Sequence, residues 1–318
     1  MTGYLLQRLF HGITVLFGVS LLVFIAVELA PGDAVDAMMS PESFTSAEAR
    51  DNMRESLGLN DPAPLRFAQW LGRTVTGDLG FSLTSREPVS EIIAKRVPST
   101  LQLVGSALLI SVVVGVGTGI IAAIKHYSWI DYLVTFLSLS WLSIPSFFLG
   151  LFLIYLFAVQ LNWFPAFGAS SAGTEHPVLD RMWHLVLPAI TLGLDLAAAL
   201  TRYTRASLLE VMNTDYLRTA RAKGLRERAV ITRHALKNAL IPIITVIAVR
   251  LPILFGGAVV IETVFQWPGL GLLMLNAATQ KDYPLIMGLA LILTCVVVIS
   301  SFLADVAYSL VDPRIRVK

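Results

Sequence analysis

Asp195 and Arg250 are the side chains of this sequence best placed to do chemistry, because each stands near the middle of a long apolar run. An ionised group at the centre of a bilayer costs about 3 kcal/mol or more unless it is paired or wetted. Opposite charges at similar depth admit two readings: a translocation path lined by Asp195, Arg250 or both, or a buried ion pair that locks two helices together. Further charges lie nearer the run ends, Glu28 and Glu262 toward one side, Arg202, Arg205 and Asp305 toward the other. Enzymatic chemistry has less support. The histidines, at 11, 126, 176, 184 and 234, form no His-Glu-x-x-His array. Cys295 is the sole cysteine and cannot form an intrachain disulfide. No G-x-x-x-x-G-K-[ST] occurs, so the usual cradle for ATP phosphates is missing. The Gly-rich GVGTG at Gly115–Gly119 lies inside an apolar run, where Gly115 and Gly119 read as a small-xxx-small packing face. No catalytic, metal-binding or cofactor-binding residue is expected in this chain.

The runs that carry these charges have the length of membrane spans. Of 318 residues, 55% are hydrophobic and 14% charged, against about 25% charged in a typical soluble domain; mean hydropathy is +0.71. A spanning helix needs about 20 apolar residues to cross about 30 Å of hydrocarbon. Six stretches qualify, roughly 9–29, 100–124, 133–159, 185–206, 239–261 and 285–310. They are continuous rather than alternating, which disfavours a barrel. Helices satisfy their own backbone groups in lipid, so an all-α protein with six transmembrane helices is expected. The first run follows Arg8 like a secretory signal. Its core of about 20 residues exceeds a signal's 7–15, and no small-x-small site closes it, so it reads as an uncleaved anchor.

Six spans place both termini on one side. That side carries 14 lysines and arginines and the other nine, seven of those in residues 31–99. Long translocated segments largely escape the positive-inside rule, and ten acids outnumber the seven bases there. Both termini, and the loop between spans four and five, are therefore expected in the cytoplasm. The external segment 31–98 reads as folded. Thr45–Glu48 is a capping box, Ala49, Met53 and Leu57 follow at helical spacing, and Gly58 suits a stop. Phe67, Trp70 and Leu71 form a second helical stripe. This segment reads as a cap packed on the membrane face or a docking surface for a soluble partner. Trp163, Phe164, Phe265 and Trp267 suit the external aromatic belt.

The cytoplasmic loop 203–238 is long, basic and patterned like helix; from Arg202 to Lys237 the loop and its lead-in hold nine of the chain's 24 Lys and Arg. Thr214 or Asp215 can cap a short helix in which Tyr216, Leu217 and Ala220 make an apolar patch. Arg218, Arg221 and Lys223 make its polar face, Gly224 fits the C′ position, and Leu225 follows as the C″ residue of a Schellman motif. A second basic amphipathic stretch, Glu227–Asn238, leads into the fifth span. Such a helix suits insertion into a groove of another protein, where it transmits force if tied to the spans on both sides. A basic loop that fixes topology and lies on anionic lipid is the plainer reading.

YLRTARAKGL at Tyr216–Leu225 resembles the coupling-loop signature of ABC importer permeases, Glu-Ala-Ala, three residues, then Gly. Ala220 and Gly224 match, whereas Arg218 and Thr219 replace the Glu and the first Ala. Three further stretches, Gly77–Leu103, Glu262–Ile286 and Leu310–Arg316, are similar to segments of the dipeptide, oligopeptide and nickel permeases, so the likeness covers essentially the whole chain. The resemblance implies a type I ABC importer permease fold, with residues 1–30 as first helix, 31–98 external, 99–311 the five-helix core and 312–318 the tail. It implies coupling to the ATPase through Asp215, Tyr216, Leu217, Arg218, Ala220, Arg221, Gly224 and Leu225. It also implies a second permease subunit of distinct sequence, two ATPase subunits that bind ATP and Mg, a soluble substrate-binding protein, and a bacterial inner membrane. No nucleic acid is implied. The implied cargo is a di- or oligopeptide, with nickel, glutathione or another small solute as alternatives. An ion-coupled secondary transporter would instead show paired inverted repeats, and no convincing three-plus-three repeat is present.

Overall fold

The computed structural model describes residues 2–30, 35, 51–52, 54–55 and 60–311. Among these the regular structure is helical, with one isolated β-bridge between Phe81 and Pro88. The first span is α1 (Thr2–Glu28), followed by α2 (Ala63–Val75) and α3 (Val89–Ile124). Next come α4 (Trp129–Ser143), α5 (Ser146–Leu153) with a π-helical continuation Ile154–Gln160, and α6 (Pro177–Met212). Helix α7 (Asp215–Ala222) lies in the basic loop. One helical turn, Glu227–Ala229, and a π-helical turn, Val230–Ala235, lead into α8 (Leu236–Val264), α9 (Leu270–Thr279) and α10 (Tyr283–Val311).

Five of these helices are long and apolar enough to cross a membrane. The sixth expected span, 133–159, is not one rod: α4 and α5 meet at 107°. Pro145 is the cause. It has no N–H to continue the ladder, and its ring forces the preceding residue out of the helical region. Ile144 accordingly sits at φ −97°, ψ 125°, between the two helices.

By contacts the chain divides into two units, Met1–Ser99 with Gly269–Val298, and Thr100–Pro268 with Ile299–Lys318. In the first, α2 uses the stripe read from sequence. Phe67 is buried, its ring 5.9 Å from Phe17 and 5.2 Å from Phe24 of α1, with Trp70 stacked at 6.0 Å. Arg66 pairs with Glu28 at the end of α1. The turn before α3 is held by Asp282, a carboxylate that is 1% exposed. It accepts from the Ser82 hydroxyl (2.5 Å) and from the N–H groups of Leu83 (3.1 Å), Thr84 (3.3 Å) and Leu285 (3.3 Å). Four donors replace the water this buried charge has lost. The capping box at Thr45–Glu48, with Ala49, Met53, Leu57 and Gly58, lies outside the described residues.

In the second unit α6 is the most buried of the spans. The glycines of GVGTG let α3 approach it. A Cβ on Gly115 would stand 2.6 Å from the Ala197 carbonyl oxygen, and one on Gly119 would stand 2.6 Å from Thr204 Cβ. Between them the Thr118 and Thr201 hydroxyls bond at 2.8 Å, a seam of small residues with a polar stitch, as membrane helices use.

Candidate functional site

Helix α7 is short because its stop is local. Gly224 takes φ +77°, a conformation that costs an L-residue about 1 kcal/mol or more, and its N–H donates to the Arg221 carbonyl at 2.9 Å. That is one of the two Schellman bonds. Leu225, expected as the packed C″ residue, is instead exposed. Thr214 occupies the N-cap position with extended backbone, but its hydroxyl donates back to Val211 O at 2.6 Å rather than capping forward.

The apolar patch of α7 is spent on its own chain. Leu217 and Ala220 are buried in a cluster with Ala123, Leu208, Val230, Ala235 and Ala239. Polar bonds fix the helix at both ends. Arg221 grips Glu227 with two bonds, Nε to Oε2 (3.1 Å) and Nη2 to Oε1 (2.9 Å), and reaches Met212 O from Nη1 at 3.4 Å. The guanidinium holds the Glu227 carboxyl below its usual range, and the carboxylate raises Arg221 in turn. Asn238 of α8 donates to the Tyr216 hydroxyl at 2.7 Å, and Ser207 of α6 donates to Ala239 O at 3.1 Å. Asp215, Tyr216, Arg218, Thr219, Lys223, Gly224 and Leu225 remain exposed. The residues expected to face a partner therefore divide. Leu217, Ala220 and Arg221, with the Tyr216 hydroxyl, tie the helix to α6 and α8, and the others form the surface that is free to meet another protein.

The charges inside the spans also divide. Arg250 Nη1 lies 3.9 Å from Asp195 Oδ2, with the side chains 38% and 52% exposed. The two residues sit at matching depth as the sequence suggests, yet within this chain the contact is long and open rather than buried. Arg205, grouped with Asp305 by depth, pairs with Asp131 of α4 instead. Its Nε and Nη2 meet Oδ1 and Oδ2 at 2.6 and 2.7 Å, and the carboxylate is 2% exposed. Asp131 also accepts from the Tyr127 N–H at 3.0 Å, and its own N–H donates to Ser128 Oγ at 3.4 Å. Ser128 thus caps the start of α4 as in a capping box, while the Asp131 carboxylate reaches back to the N–H of Tyr127, one residue before the cap. The Asp305 side chain lies outside the described residues. Thr135 and Leu142 of α4, Arg202, Tyr203 and Arg205 of α6, and Arg250 of α8 line a cleft of about 420 Å3. Among the described residues no His, Cys, Asp and Glu group could hold a metal ion.

An arrangement of five spanning helices and one sharply bent pair, with a clamped basic helix between α6 and α8, has known counterparts. Residues 115–317 match the family model of the binding-protein-dependent transport system inner membrane component, and residues 1–104 match the model of its N-terminal region. This chain belongs to that family. As an inner-membrane component it is 43% identical over 317 residues to the oligopeptide transport system permease protein AppB of Bacillus subtilis strain 168, covering 99% of this chain and 100% of the relative. It is 43% identical to a putative peptide permease protein of Brucella suis biovar 1 and 39% identical to the glutathione transport system permease protein GsiC of Escherichia coli K12, each over 318 residues and the full length of both chains. A solved inward-facing structure of the MetNI methionine ABC transporter shares the fold. Its TM-score is 0.54 at 19% identity, and the match covers 71% of this chain and 99% of that one. The inner-membrane component is thus a multi-pass permease subunit of the ABC importer type.

Sequence reasoning missed Asp131, Glu227, Asn238 and Asp282 as partners. Ser128-x-x-Asp131 carried a local signal, the capping box. The other three act through residues distant in sequence or across a turn, and no spacing rule exposes them.

Proposed function

We propose that this permease subunit forms the path for di- or oligopeptides in a binding-protein-dependent importer and receives its driving stroke through α7. The observation that carries the reading is the two-faced coupling helix. Its apolar side and Arg221 are anchored to α6 and α8, while Asp215, Arg218, Lys223 and Leu225 stand exposed on the opposite side. A rigid helix held in this way moves its spans when a groove closes around its outer face. Because the chain has no phosphate-binding loop of its own, ATP and Mg belong to two partner ATPase subunits. A second, distinct permease completes the path, and a soluble protein delivers cargo. Both termini and α7 face the cytoplasm. The relatives named for oligopeptides and for glutathione support peptidic cargo, with glutathione itself as the alternative.

The test is peptide-stimulated ATP hydrolysis in the co-purified complex, wild type beside Gly224→Pro. Proline fixes φ near −65°, against the +77° required here, so it distorts the end of α7 without touching a span. We expect an assembled complex whose ATPase no longer responds to peptide. A wild-type chain that brings no ATPase through purification overturns the importer mechanism.

A further inference from the structure

The cleft between α4, α6 and α8 brings three guanidiniums together, and their electrostatic accounts differ. Arg205 is fully engaged by the Asp131 carboxylate. Arg250 has only the long, half-exposed contact with Asp195. Arg202 is exposed and has no ion-pair partner among the described residues. Such a site carries excess positive charge along a cleft that runs from the inner end of the spans toward mid-membrane, where an unpaired charge is costly, and it fits one visiting anion.

Depth decides which anion. Arg205 lies level with Asp131, three residues into α4, so this pair marks the inner end of the spans. Asp195, level with Arg250, is ten residues further along α6, about 15 Å at 1.5 Å per residue. That is about half the thickness of the hydrocarbon core. A lipid phosphate is held at the headgroup level and does not reach Arg250, whereas a solute in a wet path does. The oxyanion a small peptidic solute offers is a carboxylate, and guanidinium donors fit it in pairs.

We propose that this cleft is a way-station for a free carboxylate of the transported solute, with Arg202 and Arg250 as its contacts and Arg205 held aside by Asp131. The proposal rests on the peptide-importer reading and narrows its cargo to solutes with a free carboxyl group. In it Asp195 competes with the cargo for Arg250.

The experiment uses the complete importer in proteoliposomes. It measures import of a defined tripeptide mixture and of the same mixture amidated at the C-terminus, as a ratio. Selection by the binding protein is common to all variants and cancels between them. Arg202→Gln and Arg250→Gln each lower the free-acid to amide ratio about tenfold relative to wild type, and Arg202→Lys recovers part of the loss. Asp195→Asn raises the ratio, the opposite of what loss of a helix lock would do. Equal ratios in wild type and both Arg variants overturn the way-station while leaving the peptide reading intact. A wild type that imports neither mixture overturns the peptide reading, and the way-station with it. The Arg202→Gln effect persists in vesicles of phosphatidylcholine alone; an effect confined to vesicles with anionic lipid assigns the cleft to lipid phosphate and overturns the proposal.

Discussion

Leu217→Ala separates the two jobs that α7 combines. Leu217 is fully buried among Leu208, Val230, Ala235 and Ala239, so truncation leaves a cavity inside the chain and alters nothing on the exposed face. A buried Leu→Ala change costs about 3 kcal/mol where the surroundings cannot collapse. The spans hold themselves in the membrane without this contact, so the loss falls on the docking of α7. At 1.4 kcal/mol per tenfold, the docked-to-undocked ratio falls about 100-fold. Amide hydrogen exchange on the chain in lipid nanodiscs reads this directly. Protection over 215–224 should drop about 100-fold, with the interiors of α6 and α8 unchanged. In the full complex, ATP hydrolysis should continue while peptide stimulation and import collapse. Unchanged exchange together with lost coupling would refute the reasoning, because Leu217 would then act by touching a partner rather than by anchoring the helix.

Three further outcomes follow from the same contacts. Asp131→Asn strands the Arg205 guanidinium at the cost of about 3 kcal/mol, read as a lower Tm in detergent, and adding Arg205→Gln recovers most of it. The Glu227 carboxyl is held low by Arg221. Its contribution is therefore complete above the unfolded carboxyl pKa and lost only as pH falls through the lower folded value. Rate-corrected amide protection over 221–229 should be flat from about pH 8 to 5 and decline below about 4.5, and Glu227→Gln should abolish that pH dependence. Asp282→Ala leaves the Ser82, Leu83 and Thr84 donors without their acceptor. Each unpaired donor costs about 1 kcal/mol or more, so tryptic cleavage after the exposed Arg86 should rise at least about fivefold, the effect of one such loss; an unchanged rate would mean the turn is held by the Phe81–Pro88 bridge.

What could be read from the sequence is what is local or periodic. The spans followed from length and hydropathy, the Gly115/Gly119 seam from spacing, and the end of α7 from a single glycine. The bend at Pro145 was not legible as an angle, since a proline removes one bond and the packing on either side sets the size of the kink. Ion-pair partners were the least accessible. Depth along a run is one coordinate of three, and it matched Arg205 to Asp305 as readily as to Asp131, 74 residues away. The same limit hid the division of labour on α7. Leu217 and Tyr216 are neighbours in one apolar patch, yet one packs inward and the other takes its bond from Asn238 at the surface. Which side of a short helix faces its own chain depends on where the flanking spans end, and that is a tertiary fact.

The clamp and the cleft share their walls, and this supplies a physical route from one to the other. Helix α7 is bonded to α6 through Met212 O and to α8 through Asn238. These two helices also carry Arg202 and Arg250. Arg202 lies ten residues from Met212, about 15 Å along a continuous α-helix, so a displacement of α7 reaches the cleft through rigid elements. The weaker link is Pro242, which stands inside α8 between Asn238 and Arg250. A proline within a helix removes one bond of the ladder and loosens the helix there. A stroke delivered at α7 would be absorbed there before it reached Arg250, whereas the α6 side has no such break between Met212 and Arg202. The two guanidiniums would then move unequally. The Arg250–Asp195 contact, already at 3.9 Å, is the one that an unequal movement breaks or closes, and that change frees or withdraws a cation for the passing carboxylate.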